Sequence, residues 1–210
     1  MIHLFTTALV TLLVIVDPPG CAPIFASLTA GTTAGHRRMM AVRSAAIAWS
    51  ILMFFALLGK PLLDTLGITL ASFRLAGGIM LFIIALEMVF EKRTQRREHR
   101  ASEIVASPEA EDISVFPMAI PMIAGPGSIA SIMLLAGRAD GPVETAVVLG
   151  AMTAVILLTL VALLAAGPLM KLIGAKLEAM ITRVLGVILA ALAAQFVIDG
   201  IRQSLPGLAH

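Results

Sequence analysis

Long apolar runs, cut by short polar segments, make up this chain. A helix that crosses a membrane needs about 20 predominantly apolar residues. Six runs qualify, at 4–28, 39–58, 69–90, 114–136, 143–166 and 179–200. The pattern predicts an all-α, polytopic membrane protein with six transmembrane helices. Only one stretch, 91–113, is strongly polar. It carries Lys92, Arg93, Arg96, Arg97 and Arg100, then Glu103, Glu109, Glu111 and Asp112. The expected organisation is a first three-helix unit at 1–90, a polar cytoplasmic loop at 91–113 and a second three-helix unit at 114–210. The loop reads as solvated, with room for a helical extension of the third span or for contact with anionic lipid headgroups.

Two of the six runs are interrupted near their middles. The first contains Val16-Asp17-Pro18-Pro19-Gly20-Cys21-Ala22-Pro23. The fourth contains Ile120-Pro121-Met122-Ile123-Ala124-Gly125-Pro126-Gly127-Ser128. Proline removes a backbone donor and clashes with the preceding turn, so a helix must kink or stop there. Backbone groups freed in hydrocarbon must be satisfied by protein or by a water-lined cavity. Paired interruptions in two halves of a chain point to a transporter's binding site.

The halves also match one another. Pro61, Leu62, Gly67 and Leu70 align with Pro168, Leu169, Gly174 and Leu177 at one offset (168 − 61 = 107), and Gly20 meets Gly127 at the same offset. Cys21 then falls opposite Ser128, and Arg74 opposite Arg183 after a two-residue shift. Three spans per repeat is an odd number, so the second repeat enters the membrane from the opposite side. The prediction is a pair of inverted three-helix repeats, with helices 1 and 4 broken at Pro-Gly motifs.

Composition strengthens the membrane assignment. Hydrophobic residues make up 59% of the 210, charged residues only 13%, and mean hydropathy is +1.00. A net charge of +2 gives no reason to expect nucleic acid, and the single Cys21 excludes an internal disulfide. Gly20-Cys21 resembles a lipoprotein cleavage site only faintly, because Pro18-Pro19 spoils the small-aliphatic pattern, so an uncleaved first span is expected. Arg37, Arg38, Arg43, the basic residues of 91–113, Lys171 and Lys176 fall on one side of the membrane. Lys60, Arg138 and Arg202 fall on the other. The positive-inside rule then places both termini outside the cytoplasm of a bacterial plasma (inner) membrane.

Asp17 is a functional candidate by its position inside a span. It suits a proton acceptor (the proton-coupling candidate), a partner for a substrate ammonium, or an N-cap for the half-helix after the break. Half-helices starting near Gly20 and Gly127 would turn unpaired N–H groups toward the breaks, where a carboxylate is favoured. Gly125 and Gly127 permit close approach of a ligand, and Ser128 adds a hydroxyl. A plain kink with tight packing is the competing reading. Arg74 and Arg183 are expected to snorkel to headgroups, Glu87 and Asp199 to reach the interface, and Gln195 to bond across helices. Gly77, Gly78 and Gly186 read as packing positions. His3, His36, His99 and His210 fall at ends or in loops, with no metal-ligand cluster. There is no phosphate loop and no nucleophile elbow. No metal, no cofactor and no enzymatic activity are expected.

Asp17-Pro18-Pro19-Gly20 with Pro23-Ile24-Phe25, and Phe116-Pro117-Met118-Ala119-Ile120-Pro121-Met122-Ile123-Ala124-Gly125-Pro126-Gly127-Ser128, resemble the signature segments of the MarC family of integral membrane proteins. The resemblance covers essentially the whole chain. It implies transport of small neutral amino acids such as glycine and alanine. The substrate-binding candidates are then Asp17, Pro18, Pro19, Gly20 and Cys21 in the first span, with Ala124, Gly125, Pro126, Gly127 and Ser128 in the fourth. The expected partners are a small neutral amino acid, membrane lipid and, if transport is coupled, H+. A passive channel and a non-transporting structural or regulatory subunit are the alternatives.

Overall fold

The computed structural model of the chain describes residues 1–92, 95, 96, 99 and 112–204. Arg93, Arg97, Arg100, Glu103, Glu109 and Glu111 of the expected loop lie outside the described residues. The described part is all-helical: α1 (Ile2–Val16), α2 (Pro18–Leu28), α3 (Ala34–Thr65), α4 (Leu70–Val89), a widely wound segment (Ser114–Ile123), α5 (Pro126–Ala136), α6 (Pro142–Leu164) and α7 (Ala166–Ser204). Five stretches are long and apolar enough to cross a membrane: Ile2–Leu28, Ala34–Thr65, Leu70–Val89, Pro142–Leu164 and Ala179–Ser204. The bent pair Ser114–Ile123 and Pro126–Ala136 makes a sixth when it is counted as one span. The six expected spans then map onto the structure, with that bent pair as the fourth. The second is longer than hydropathy alone implies, because α3 starts at a Thr33 cap and runs past Pro61 to Thr65.

Helix starts follow local chemistry. Thr33 caps the N–H of His36, and Thr69 caps that of Ser72, each satisfying a donor that the first helical turn leaves open. Proline opens α2, α5 and α6, where its missing N–H costs nothing.

The repeat leaves a backbone signature. Gly67 and Gly174, matched in sequence, both adopt positive φ, at 67° and 68°. That region is open to glycine and costs most side chains energy. In each repeat a proline-containing helical stretch ends there and the next span begins. The half-helices α2 and α5 are 11 residues each.

Packing agrees with a two-fold exchange of halves. α1 and α2 lie against α6, while the wound segment and α5 lie against α3. These pairings swap when span one is traded for span four and span two for span five. The α3–α6 and α4–α7 pairings map onto themselves, and α4–α7 is the most extensive contact in the molecule. α4 and α7 run antiparallel at very close range. A methyl on Gly200 would sit 2.8 Å from the Leu75 nitrogen, and one on Gly186 2.9 Å from Met88 Cβ. Lipid tails are as apolar as the helices, so van der Waals packing of small residues holds such a pair together.

Candidate functional site

The first break is one residue wide. Asp17 precedes Pro18, and the proline ring disfavours a right-handed helical conformation in the residue before it. Asp17 instead takes φ 58° and ψ 65°, a left-handed conformation that Asp and Asn tolerate better than most residues. Its N–H still bonds to the Leu13 carbonyl (3.0 Å), and its carbonyl accepts from Cys21 N–H (3.0 Å). Hydrogen bonding therefore continues on both sides of the hinge.

The Asp17 carboxylate also seals the new helix. Its Oδ1 accepts from Gly20 N–H at 3.2 Å. That N–H would otherwise serve the Val16 carbonyl. The Cys21 thiol takes its place, donating to Val16 O at 3.4 Å. Gly20 is required for this fold-over: a Cβ there would lie 2.2 Å from Asp17 Oδ2. Asp17 is 1% exposed. Pro18, Gly20 and Cys21 are buried as well, and Pro19 is half-buried. α2 starts at Pro18 rather than near Gly20, because the capping carboxylate comes from Asp17.

The second break is built from backbone alone. Prolines recur four residues apart in Phe116-Pro117-Met118-Ala119 and Ile120-Pro121-Met122-Ile123. Both X–Pro bonds are cis. Phe116 and Ile120 are extended, at φ near −126° and −125°, as proline demands of its predecessor. The remaining donors reach five residues back: Met118 N–H to Ile113 O (3.3 Å) and Ala124 N–H to Ala119 O (2.8 Å). Disruption thus begins at Phe116, earlier than the 120–128 stretch singled out by sequence. The chain then turns by 55° into α5. Gly125 is the N-cap residue and Pro126 follows it, so no side chain caps α5. A Cβ on Gly125 would meet the Pro121 carbonyl oxygen at 2.3 Å. Ala124, Gly125, Gly127 and Ser128 are buried, whereas Pro126 is exposed.

The two breaks sit side by side. A Cβ on Gly127 would touch Ile15 Cγ2, at the end of α1, at 3.4 Å. It would also meet Ile84 Cδ1 and Leu81 Cδ2 of α4, at 2.7 and 3.5 Å. Val16, Cys21 and Ala22 share one buried cluster with Ile123 and Ala124. No hydrogen bond joins Ser128 to Asp17: the Ser128 side chain is 2% exposed and takes no partner among the described residues. Two further hydroxyls, Thr11 Oγ1 in α1 and Ser131 Oγ in α5, are buried without a hydrogen bond. Sequence reading missed both. For Ser131 a signal existed, since it lies three residues after Ser128 and hence on the same helical face.

The charged residues depart from expectation. Arg183 does not simply snorkel; it pairs with Glu91 across 92 positions of sequence. Glu87 pairs with Arg96 at 2.6 Å, and Asp199 with Arg138 at 2.7 Å. Gln195 bonds within its own helix, to Asp199 Oδ1 at 2.8 Å, because four residues is one helical turn. Arg74, also expected to snorkel, is only 4% exposed. Outside the spans, Asp112 accepts from the Ser114 hydroxyl and from Ser114 N–H (3.0 Å) and pairs with Arg43 of α3 at 2.6 Å. Those contacts, the Ser114 hydroxyl foremost, hold the Asp112 carboxyl below the usual carboxylate range.

Six spans, two of them interrupted side by side, define a multi-pass integral membrane protein with broken helices at its centre. The family model described as MarC family integral membrane protein matches residues 2–205, and the chain belongs to that family. It is 35% identical to a UPF0056 membrane protein of Methanocaldococcus jannaschii, over 96% of this chain and 97% of that one. It is 33% identical to the UPF0056 membrane protein YvbG of Bacillus subtilis (99% and 97% covered). It is 32% identical to the UPF0056 inner membrane protein YhgN of Escherichia coli (96% and 98% covered). No solved structure matches the chain.

Proposed function

We propose that this protein is a secondary transporter of small neutral amino acids, of the glycine and alanine type, working by alternating access of its two three-helix halves. One observation carries the reading: two helix breaks of opposite chemical character meet inside the bundle, where Gly127 packs on Ile15. A zwitterion with almost no side chain needs a carboxylate site, an ammonium site and little more. The α5 N-terminus, with no side-chain cap and with Ser128 beside it, suits the carboxylate. The α1 end, where Pro18 and Pro19 bring no N–H to the preceding turn and Asp17 adds a carboxylate, suits the ammonium. Burial of Asp17, Cys21, Ala124 and Ser128 favours a carrier caught with its site occluded over an open channel. Both termini lie outside the cytoplasm in this reading, because the basic residues concentrate on the other side.

The test is uptake of labelled glycine and alanine by proteoliposomes, with and without a pH gradient. Saturable uptake with counterflow is expected. Absence of saturable flux for any neutral amino acid ends the substrate assignment, and linear flux without counterflow would instead favour a channel. Impermeant labelling of cysteines introduced near either terminus, in intact cells, checks the orientation.

A further inference from the structure

At the end of the bundle where α4 begins and α7 ends, the buried Arg74 lies near the Arg138–Asp199 ion pair. Arg138, just past α5, gives its Nη2 to Asp199 Oδ2 at 2.7 Å and lies over the Phe196 ring, 5.0 Å from its centroid. The other Asp199 oxygen accepts from Gln195. Both carboxylate oxygens are therefore engaged. Arg74 is buried where these elements meet α4: a Cβ on Gly200 would touch Ala71 and Leu75, and one on Gly137 would touch Leu70. It has no hydrogen bond among the described residues. Arg74 Nε and Arg138 Nε are both buried without a partner. The cluster carries two positive charges against one negative.

Such an arrangement is unfavourable as it stands. An arginine stays protonated, so it cannot relieve its burial by losing charge, and an uncompensated buried cation is strongly destabilising. The other end of the same helix pair shows the balanced version, in which Arg183 meets Glu91 one to one. We propose that Arg74 and Arg138 form an anion site that takes one phosphate oxyanion. Guanidinium groups present planar forks of donors that match phosphate oxygens. Arg74 lies about one turn inside the start of its span, about 6 Å of rise from Leu70. That depth is near the headgroup layer, so the phosphate of an anionic lipid and free phosphate are the two sources of the same chemistry. The site is separate from the helix breaks and does not rest on the transport reading.

The test uses the purified full chain in neutral detergent. One arm titrates inorganic phosphate at constant ionic strength and follows thermal stability. The other follows retention of phosphatidylglycerol against phosphatidylcholine by native mass spectrometry. Saturable binding of either probe supports the site and identifies its source. R74Q should weaken that binding at least tenfold, D199N should tighten it by removing the competing carboxylate, and R183Q at the opposite end should leave it unchanged. The proposal is overturned if neither probe binds saturably, or if a folded R74Q binds like the parent. Should R74Q aggregate, D199N decides: tighter binding supports the site, and unchanged or weaker binding sinks it.

Discussion

The break at Asp17 and the break at Gly125 interrupt equivalent spans by different means. At Asp17 a single left-handed residue carries a carboxylate that caps the next helix, and hydrogen bonding resumes at once. Ile2–Leu28 is still one span. At Gly125 three prolines and two glycines loosen the chain from Phe116 to Gly127, the axis bends by 55°, and no side chain closes the new N-terminus. Matched positions thus carry opposite loads. Cys21 returns a donor to its own backbone, while Ser128, its sequence counterpart, makes no side-chain hydrogen bond among the described residues. The comparison teaches that breaks at matched sequence positions can be closed by different means, a side-chain carboxylate at one and backbone alone at the other.

The contrast breaks most readily at Gly125. Replacing Gly125 by Ala drives a Cβ into the Pro121 carbonyl, a backbone atom that cannot rotate away. Overpacking of this kind costs about 1–3 kcal/mol, and a backbone clash belongs at the top of that range. The expected result is loss of folded protein, read as aggregation in size-exclusion chromatography. Normal elution would show that the second break is as forgiving as the first.

Asp17 comes next. Asp17→Ala removes a cap, at about 1 kcal/mol, and forces alanine into a left-handed conformation at about 1–2 kcal/mol more. Asp17→Asn keeps both the acceptor and the tolerance for positive φ, so its melting temperature should stay near that of the parent. That makes the Asn variant a clean probe of coupling. A flattened pH dependence of glycine uptake would assign proton coupling to Asp17, and an unchanged one would leave capping as its role.

A smaller effect separates the matched pair. Ser128→Ala should raise the KM for glycine severalfold with little change in melting temperature, because its hydroxyl makes no hydrogen bond among the described residues. Cys21→Ala should do the reverse: a slight loss of stability as Val16 O loses its donor, and an unchanged KM. Identical behaviour of the two variants would remove the division of labour.

The smallest effect concerns the approach to the second break. The Asp112 carboxyl titrates lower in the folded chain than in the unfolded one, chiefly through the Ser114 hydroxyl. Its contribution is therefore fully present above the unfolded carboxylate value, about 3.9, and fades as pH falls through the lower folded value. Melting temperature should be level from neutral pH to about 5 and decline more steeply below 4 than in Asp112→Asn. The side chains of Arg43 and Asp112 are well exposed, so the difference will be small. Coincident acid limbs would show that Asp112 does not anchor this segment.

Much of the architecture was legible along the chain. Hydropathy located all six spans, since a span is a local requirement of length and apolarity. The broken spans were legible because proline lacks an N–H wherever it sits. The repeat was legible through Pro61 and Pro168 and through Gly67 and Gly174, whose shared positive φ is a property of glycine itself. Helix caps were half legible: Asp17 was among the candidate caps, but only its left-handed φ and the reach of Oδ1 to Gly20 N–H settled that role.

What tertiary structure alone decided is how charges and hydroxyls far apart in sequence meet. Arg138 and Asp199 are separated by 61 positions and Arg183 and Glu91 by 92, and no local pattern encodes such pairings. Arg74 at the head of a span looks like a snorkelling residue until the packing of α4 on α7 closes over it. Thr11 and Ser131 become distinctive only once neighbouring helices exclude water and, among the described residues, offer their hydroxyls no partner. Sequence sets where a helix must break, because that follows from bonds a residue cannot make. Packing decides what each break faces, because that depends on which distant surfaces are brought against it.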